Sequence, residues 1–208
     1  MIINPDSNTE QLILETAEKL FLEKGFALTS TTEIARVAGC NQALVHYYFR
    51  TKENLFNSVF EKKVRLFATG LLQVDQPGIS FEQKLKHMIE AHFDMLSANP
   101  GLPFLVFNEL ITNPERLKKL RGNMLDLPKL VFFPLKAELE VEIAKGNIRP
   151  MTIYDLILTV VSLNVMLFIA SPIFKILADL NEEAIEKLIV HRRQENVTII
   201  LQSLKNNI

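Results

Sequence analysis

Three polar-tipped rings in a row, His46, Tyr47 and Tyr48, stand between Val45 and Phe49. On a short helix that Val45 and Phe49 anchor in a core, three such rings cannot all be buried, so at least one faces solvent. Tyrosine hydroxyls, an imidazole N–H and the N-terminal end of the next helix are donors suited to phosphate oxygens. The competing reading of Tyr48 is a core ring with a satisfied hydroxyl. Catalytic chemistry lacks its residues: the chain has no G-x-S-x-G elbow, no phosphate loop and no H-E-x-x-H. The histidines, His46, His87, His92 and His191, are scattered, and His87 and His92 have poor spacing for one helix face. A single cysteine, Cys40, excludes an internal disulfide or a cysteine-based zinc cluster and fits a reducing cytoplasm. Neither an enzyme nor a metal site nor a cofactor is expected.

The elements that must position these rings are legible from periodicity and punctuation. Thr9 to Lys24 reads as an amphipathic helix, with Ile13, Ala17, Leu20 and Phe21 on one side, and Gly25 stops it. Ser30-Thr31-Thr32-Glu33 is a capping-box pattern that starts a second helix near Thr31. Ala38-Gly39-Cys40 ends it in a tight turn, Asn41 caps a third helix from Gln42 to Phe49, and Thr51 caps a fourth running from Lys52 to about Leu72. Short helices joined by a Gly-containing turn make a helix-turn-helix unit, whose third helix can lie in a DNA major groove.

Downstream, helices are expected over Phe81 to Ala98 and Gly101 to Thr112. Glu115 to Lys145 is helical in composition, with a break near Leu127 and Pro128 and a kink or irregular turn near Pro134. Gly146 is a C-cap, and an apolar helix from Thr152 to Ala170 follows. Ser171-Pro172 is expected to break that helix before a short segment to Leu180. Asn181 then caps a last helix, Glu182 to about Lys205. The expected class is all-α, with a DNA-binding head over residues 1–51 and a larger helical domain over 52–208.

The chain has 208 residues, 48% of them apolar and only 7 of them glycine, which supports helical cores. Its formal net charge of −1 argues against a uniformly basic surface. Locally the charge segregates: Met1 to Ala27 sums to −3, whereas Leu28 to Arg65 carries six basic against three acidic residues. Both runs also fit solvated helix faces. Met1 to Glu10 lacks the basic start and apolar run of a signal peptide. The apolar run Ile153 to Ala170 is interrupted by Asp155, Ser162 and Asn164, so a buried helix is expected rather than a membrane span, in a cytoplasmic protein.

The run Gly25-Phe26-x-x-Thr29-Ser30-Thr31-Thr32-Glu33-Ile34-Ala35-x-x-Ala38-Gly39-Cys40-Asn41-Gln42-x-x-Val45-x-Tyr47-Tyr48-Phe49-x-Thr51-Lys52-Glu53-Asn54-Leu55 resembles the DNA-binding domain of the tetracycline-repressor (TetR) family of bacterial regulators. Asn99-Pro100-Gly101-Leu102-Pro103 with Asn108-Glu109-Leu110, and Gly146-Asn147-Ile148-Arg149-Pro150, are similar to its C-terminal part. The resemblance implies that Gln42 and Ala43 meet base edges, a glutamine amide being able to bond N6 and N7 of adenine together. It implies phosphate contacts at His46, Tyr47 and Tyr48, a backbone clamp at Lys52, and DNA contacts at Thr31 and Thr32. Leu44 departs from the pattern and either touches a thymine methyl or packs inward. Cys40 stands in place of a small aliphatic residue, a small buried thiol or a redox switch.

For the second domain the resemblance implies a cavity for a small, apolar effector. Candidate lining residues are Met88, His92, Phe93, Phe104, Phe107, Asn108, Met124, Phe133, Tyr154, Asn164 and Phe168; ordinary core is the competing reading, and Asn164 could also pair across a dimer seam. Because the Thr152 to Ala170 helix is apolar nearly all round, it and the last helix are expected to build a homodimer interface through Ile157, Val161, Ile185, Leu188, Ile189, Arg192 and Ile200. The expectation is a ligand-released repressor on a palindromic double-stranded operator, with no membrane partner. The rival is an all-α apolar-ligand carrier or protein adaptor with a vestigial head.

Overall fold

The computed structural model describes residues 7–73, 78–112, 114–115, 118 and 131–206. Among them the regular structure is helical throughout, and the fold is all-α. Helices α1 (Ser7–Leu28), α2 (Thr31–Val37), α3 (Gln42–Phe49), α4 (Lys52–Gln73), α5 (Phe81–Ala98), α6 (Leu102–Thr112), α7 (Phe133–Ala144), α8 (Ile153–Leu177) and α9 (Glu182–Ser203) follow in order. The expected break near Leu127 and Pro128, and Met124, lie outside the described residues. Two compact units form, one from residues 1–66 and 104–124, the other from 67–103 and 125–208. The expected boundary at residue 51 thus falls inside the first unit, because Leu55, Phe56, Val59 and Phe60 of α4 fill the same core as α1 to α3.

In that core Phe21, Phe56, Ile13, Ile34 and Leu55 are fully buried, each burial contributing roughly 1.5–3 kcal/mol. Phe21 and Phe56 meet edge to face with centroids 5.2 Å apart. The caps act as the residue types dictate. Ser30 Oγ accepts from the Glu33 N–H at 3.1 Å, Asn41 Oδ1 from Leu44 N–H at 3.0 Å, and Thr51 Oγ1 from Asn54 N–H at 3.1 Å. The Glu33 carboxylate pairs with Lys24 Nζ. Gly25, at φ 77°, kinks α1 where a stop was expected, so the last residues to Leu28 form a separate turn.

In the second unit α5 packs against α7, α8 and α9, and α8 against α7 and α9. One cluster gathers Leu85, Ile89, Leu139, Leu156 and Ile200, and a second gathers Phe93, Leu96, Val165, Leu167 and Phe168. Arg193 grips Asp94 with two hydrogen bonds of 2.7 Å, which ties α9 to α5. Pro134 sits in the first turn of α7, directly after a π-helical turn at Val131 and Phe132, an irregularity where one was expected. Gly146, at φ 77°, closes α7.

The expected break at Ser171-Pro172 is corrected: α8 runs through Pro172 to Leu177. Proline removes the N–H that would bond the Phe168 carbonyl. Ser171 Oγ donates to that carbonyl at 3.2 Å, so the acceptor is not orphaned and the helix continues. By length and composition α8 could cross a membrane. One side is nevertheless built into the unit's core, through Ile153, Leu156, Asn164, Val165, Leu167 and Phe168.

Candidate nucleic-acid interface

Helix α3 is held from beneath by Val45 and Phe49, both buried, and at its start by the Asn41 cap. That fixes its rotation. Gln42, Ala43, His46 and Tyr47 are exposed, whereas Leu44 and Tyr48 are half-buried against the core. Leu44 thus packs partly against the core, the inward of its two expected placements. Tyr48 turns its ring onto the core and meets Tyr47 edge to face at 5.2 Å. Tyr47, 60% exposed, is the outward ring. Thr32 is exposed and Thr31 half-buried at the start of α2.

Three of these side chains are linked. Gln42 Nε2 donates to Thr31 Oγ1 at 3.2 Å and lies 3.3 Å from His46 Nε2, while His46 Nδ1 lies 3.0 Å from the Arg50 carbonyl. The family resemblance implied separate base and phosphate contacts for these residues. Their hydrogen bonds join them into one cluster on the exposed face. Arg50 itself was missed: it caps α3 at φ 67°, a left-handed conformation that nothing in its residue type announces.

Lys52 is placed differently from the family-like expectation. Its ammonium donates to the Phe26 carbonyl at 2.8 Å and the Thr29 carbonyl at 2.9 Å, and stands 4.1 Å from the Phe26 ring centroid. Thr29, buried, donates its hydroxyl to the Gly25 carbonyl at 2.8 Å. The stretch from the Gly25 kink to Thr29 thus has its carbonyls claimed by Thr29 and Lys52. Two of the three Lys52 donors are engaged, which leaves one for another acceptor.

The local charge is partly internal. Glu18 of α1 pairs with Lys63 and Glu33 with Lys24, so part of the acidic first helix neutralises the head itself. Arg36 and Arg50 are exposed. Cys40 is half-buried against the core, and burial pushes its thiol up, away from thiolate. It packs as a small hydrophobe.

The expected effector-lining residues differ in burial. Phe104, Phe107, Phe133 and Tyr154 are exposed. Met88, Phe93 and Phe168 are buried core residues, with Phe93 and Phe168 5.3 Å apart, centroid to centroid. Phe104, Phe107 and Asn108 belong to the first unit and the other described candidates to the second. A shallow groove of about 530 Å³ is lined by Phe81, Ala137, Glu138, Val141 and Glu142, none of them an expected effector residue. Asn164 is fully buried and satisfied: its Nδ2 donates to the Ile89 carbonyl at 3.0 Å and lies 3.2 Å from His92 Nδ1, and its Oδ1 accepts from Asn196 Nδ2 at 2.9 Å. Asn196 also donates to the Leu163 carbonyl at 3.0 Å and accepts from Arg192 Nη2. Burial pushes the His92 imidazole down to about 4. Asn164 and His92 thus belong to a polar seam within the core, and Asn196 is a member that sequence reading missed.

The expected dimer residues divide likewise. Ile185 and Ile200 are corrected: both are buried within their own chain, Ile200 completely. Ile157, Val161, Leu188 and Ile189 are half-buried against the cores, and Arg192 is half-buried at the end of the polar seam. The exposed large apolar side chains on the two helices are Tyr154, Leu158, Met166, Ile173, Phe174, Ile176 and Leu177 of α8, with Val190 of α9.

Residues 13–59 match the family model described as bacterial regulatory proteins, tetR family. The chain is 27% identical over 128 residues to the probable HTH-type transcriptional regulator YttP of Bacillus subtilis, covering 60% of this chain and 61% of that one. It is 26% identical over 111 residues to the HTH-type transcriptional activator FasR of Mycolicibacterium smegmatis, covering 53% of this chain and 50% of that one. The chain thus spans about half to three fifths of the length of these curated relatives. Among solved structures, HlyIIR, a hemolysin II transcriptional regulator, superposes with a TM-score of 0.67 at 26% identity, covering 96% of this chain and 98% of that one.

Proposed function

Since the chain belongs to the TetR family of bacterial regulatory proteins, we propose that it is a cytoplasmic transcriptional repressor that binds a palindromic operator as a homodimer and is released by a small apolar effector. The observation that carries this reading is the exposed face of α3. Gln42, Ala43, His46 and Tyr47 stand outward on a helix locked by Val45, Phe49 and the Asn41 cap. That is a rigid donor and acceptor surface of the size a major groove admits. Arg36, Arg50, the remaining Lys52 donor and the hydroxyls of Thr31, Thr32, Tyr47 and Tyr48 would supply phosphate contacts.

Pairing of two chains is supported by the α8 face that the chain leaves uncovered. Leu158 is 63% exposed and Met166 59%, on a helix apolar enough to favour a partner over water. Two copies related by a two-fold axis would place two α3 helices roughly 34–36 Å apart, or a multiple of that, for one half-site each. The effector domain is residues 67–208 in large part. Its ligand would act by shifting the population of head spacings, with α4 as the element the two units share along the chain.

Selection of bound duplexes from random DNA at moderate salt tests the reading. Recovery of an inverted repeat is expected. Recovery of no motif, with an apolar ligand retained through purification, would favour a carrier with a vestigial head.

A further inference from the structure

Resting on that reading of α3, we propose that His46 is a positioning residue that fixes the amide of Gln42, so that Gln42 offers a base edge its oxygen alone. The constraint begins at Arg50. Its carbonyl can only accept, so His46 Nδ1, 3.0 Å away, carries the proton. In the neutral ring Nε2 is then an acceptor. The Gln42 atom 3.3 Å from it must be a donor, which is the amide nitrogen and not the oxygen. The second hydrogen of that nitrogen points to Thr31 Oγ1, at 3.2 Å. Both amide hydrogens are engaged, and Oε1 is the atom left for a partner.

The orientation of the amide follows from a backbone carbonyl through a chain of obligatory donors and acceptors. A glutamine so held does not make the two-point contact to N6 and N7 of adenine. It accepts one hydrogen bond from an exocyclic amine, N6 of adenine or N4 of cytosine, the major-groove donors of the two base pairs. Without His46 the amide regains a hydrogen and with it the two-point contact.

Base analogues separate the two modes. The contacted pair is the one at which Gln42→Ala relaxes the sequence selected from random duplexes. At that pair, wild-type protein on a duplex lacking the exocyclic amine, purine for adenine or 2-pyrimidinone for cytosine, should bind about fivefold more weakly, the worth of one ordinary hydrogen bond. A 7-deazapurine at the same pair should leave affinity within about twofold. Gln42→Ala protein should be indifferent to both analogues, which controls for effects on the duplex itself. In His46→Ala the 7-deaza analogue should become costly, whereas a merely structural role for His46 would weaken all duplexes alike. A 7-deaza cost in the wild type equal to the amine cost, or no amine cost, overturns the proposal, as does a Gln42→Ala protein that relaxes no position. Failure of the wild type to select any sequence would sink the regulatory reading, and this one with it.

Discussion

Lys52 Nζ stands 4.1 Å from the centre of the Phe26 ring and donates to the carbonyl of that same residue at 2.8 Å. With a second bond to Thr29, one ammonium fastens the last turn of α1 and the link to α2 to the start of α4. Charge-assisted bonds to carbonyls are the stronger kind. This position serves the integrity of the head before it serves a phosphate.

Lys52→Met should therefore lower the stability of the protein by about 2 kcal/mol in urea unfolding. It should weaken operator binding mainly through that loss. Unchanged stability, with a salt dependence of binding shallower by about one phosphate, would make Lys52 a pure backbone contact instead.

The buried amide pair gives a second prediction. Asn164→Ala removes the bonds to the Ile89 carbonyl and from Asn196 Nδ2, leaves one Asn196 amide hydrogen unpaired in the core, and should cost on the order of 2–4 kcal/mol. The same change at Asn99, which bonds the Met95 carbonyl at the end of α5, should cost about 1 kcal/mol. Equal losses at the two sites would show that the seam through Asn164 holds no special weight.

His92 adds a pH dependence of definite sign. Its folded-state value of about 4 lies below the ordinary histidine value of 6.5, because burial disfavours the charged ring. The unfolded chain therefore binds more protons between those values, and the neutral ring's contribution is complete above 6.5 and lost as pH falls toward 4. His92→Leu should flatten the stability profile across that window by up to about 3 kcal/mol. An unaltered slope would place the imidazole in contact with water.

The uncovered face of α8 should respond differently from its buried face. Leu158→Glu or Met166→Glu is expected to yield folded monomers by sedimentation, with operator affinity reduced at least about a hundredfold as one half-site is lost. Ile200→Glu should unfold the chain, since Ile200 is completely buried. Dimers of unchanged affinity in the first two variants would place the interface elsewhere.

Local chemistry was the legible part of this molecule. Ser30, Asn41, Thr51 and Asn181 cap helices because a short polar side chain at a helix start has one good use, and Gly146 ends α7 because its φ is positive. The helical head followed from those caps and from the spacing of Val45 and Phe49. What failed depended on partners distant in the chain or on a degenerate pattern. On α8 apolar residues occur nearly all round, so periodicity does not say that Leu156 faces in and Leu158 out, and Ile185 and Ile200 were assigned to the wrong side. Pro172 reads as a breaker unless the Ser171 hydroxyl is seen to reach Phe168. The engagement of Lys52 depends on carbonyls 23 and 26 residues away, and the polarity of Gln42 on a backbone turn at Arg50.

The most direct measurement is parallel selection from random duplexes with wild-type protein and Gln42→Ala. The wild type should return an inverted repeat whose half-sites are centred about 10 base pairs apart or a multiple of that. Gln42→Ala should return the same repeat relaxed at one symmetric pair of positions, losing roughly 1–3 kcal/mol of discrimination there. A motif without two-fold symmetry, or one identical for both proteins, would contradict a pair of α3 helices reading DNA through Gln42.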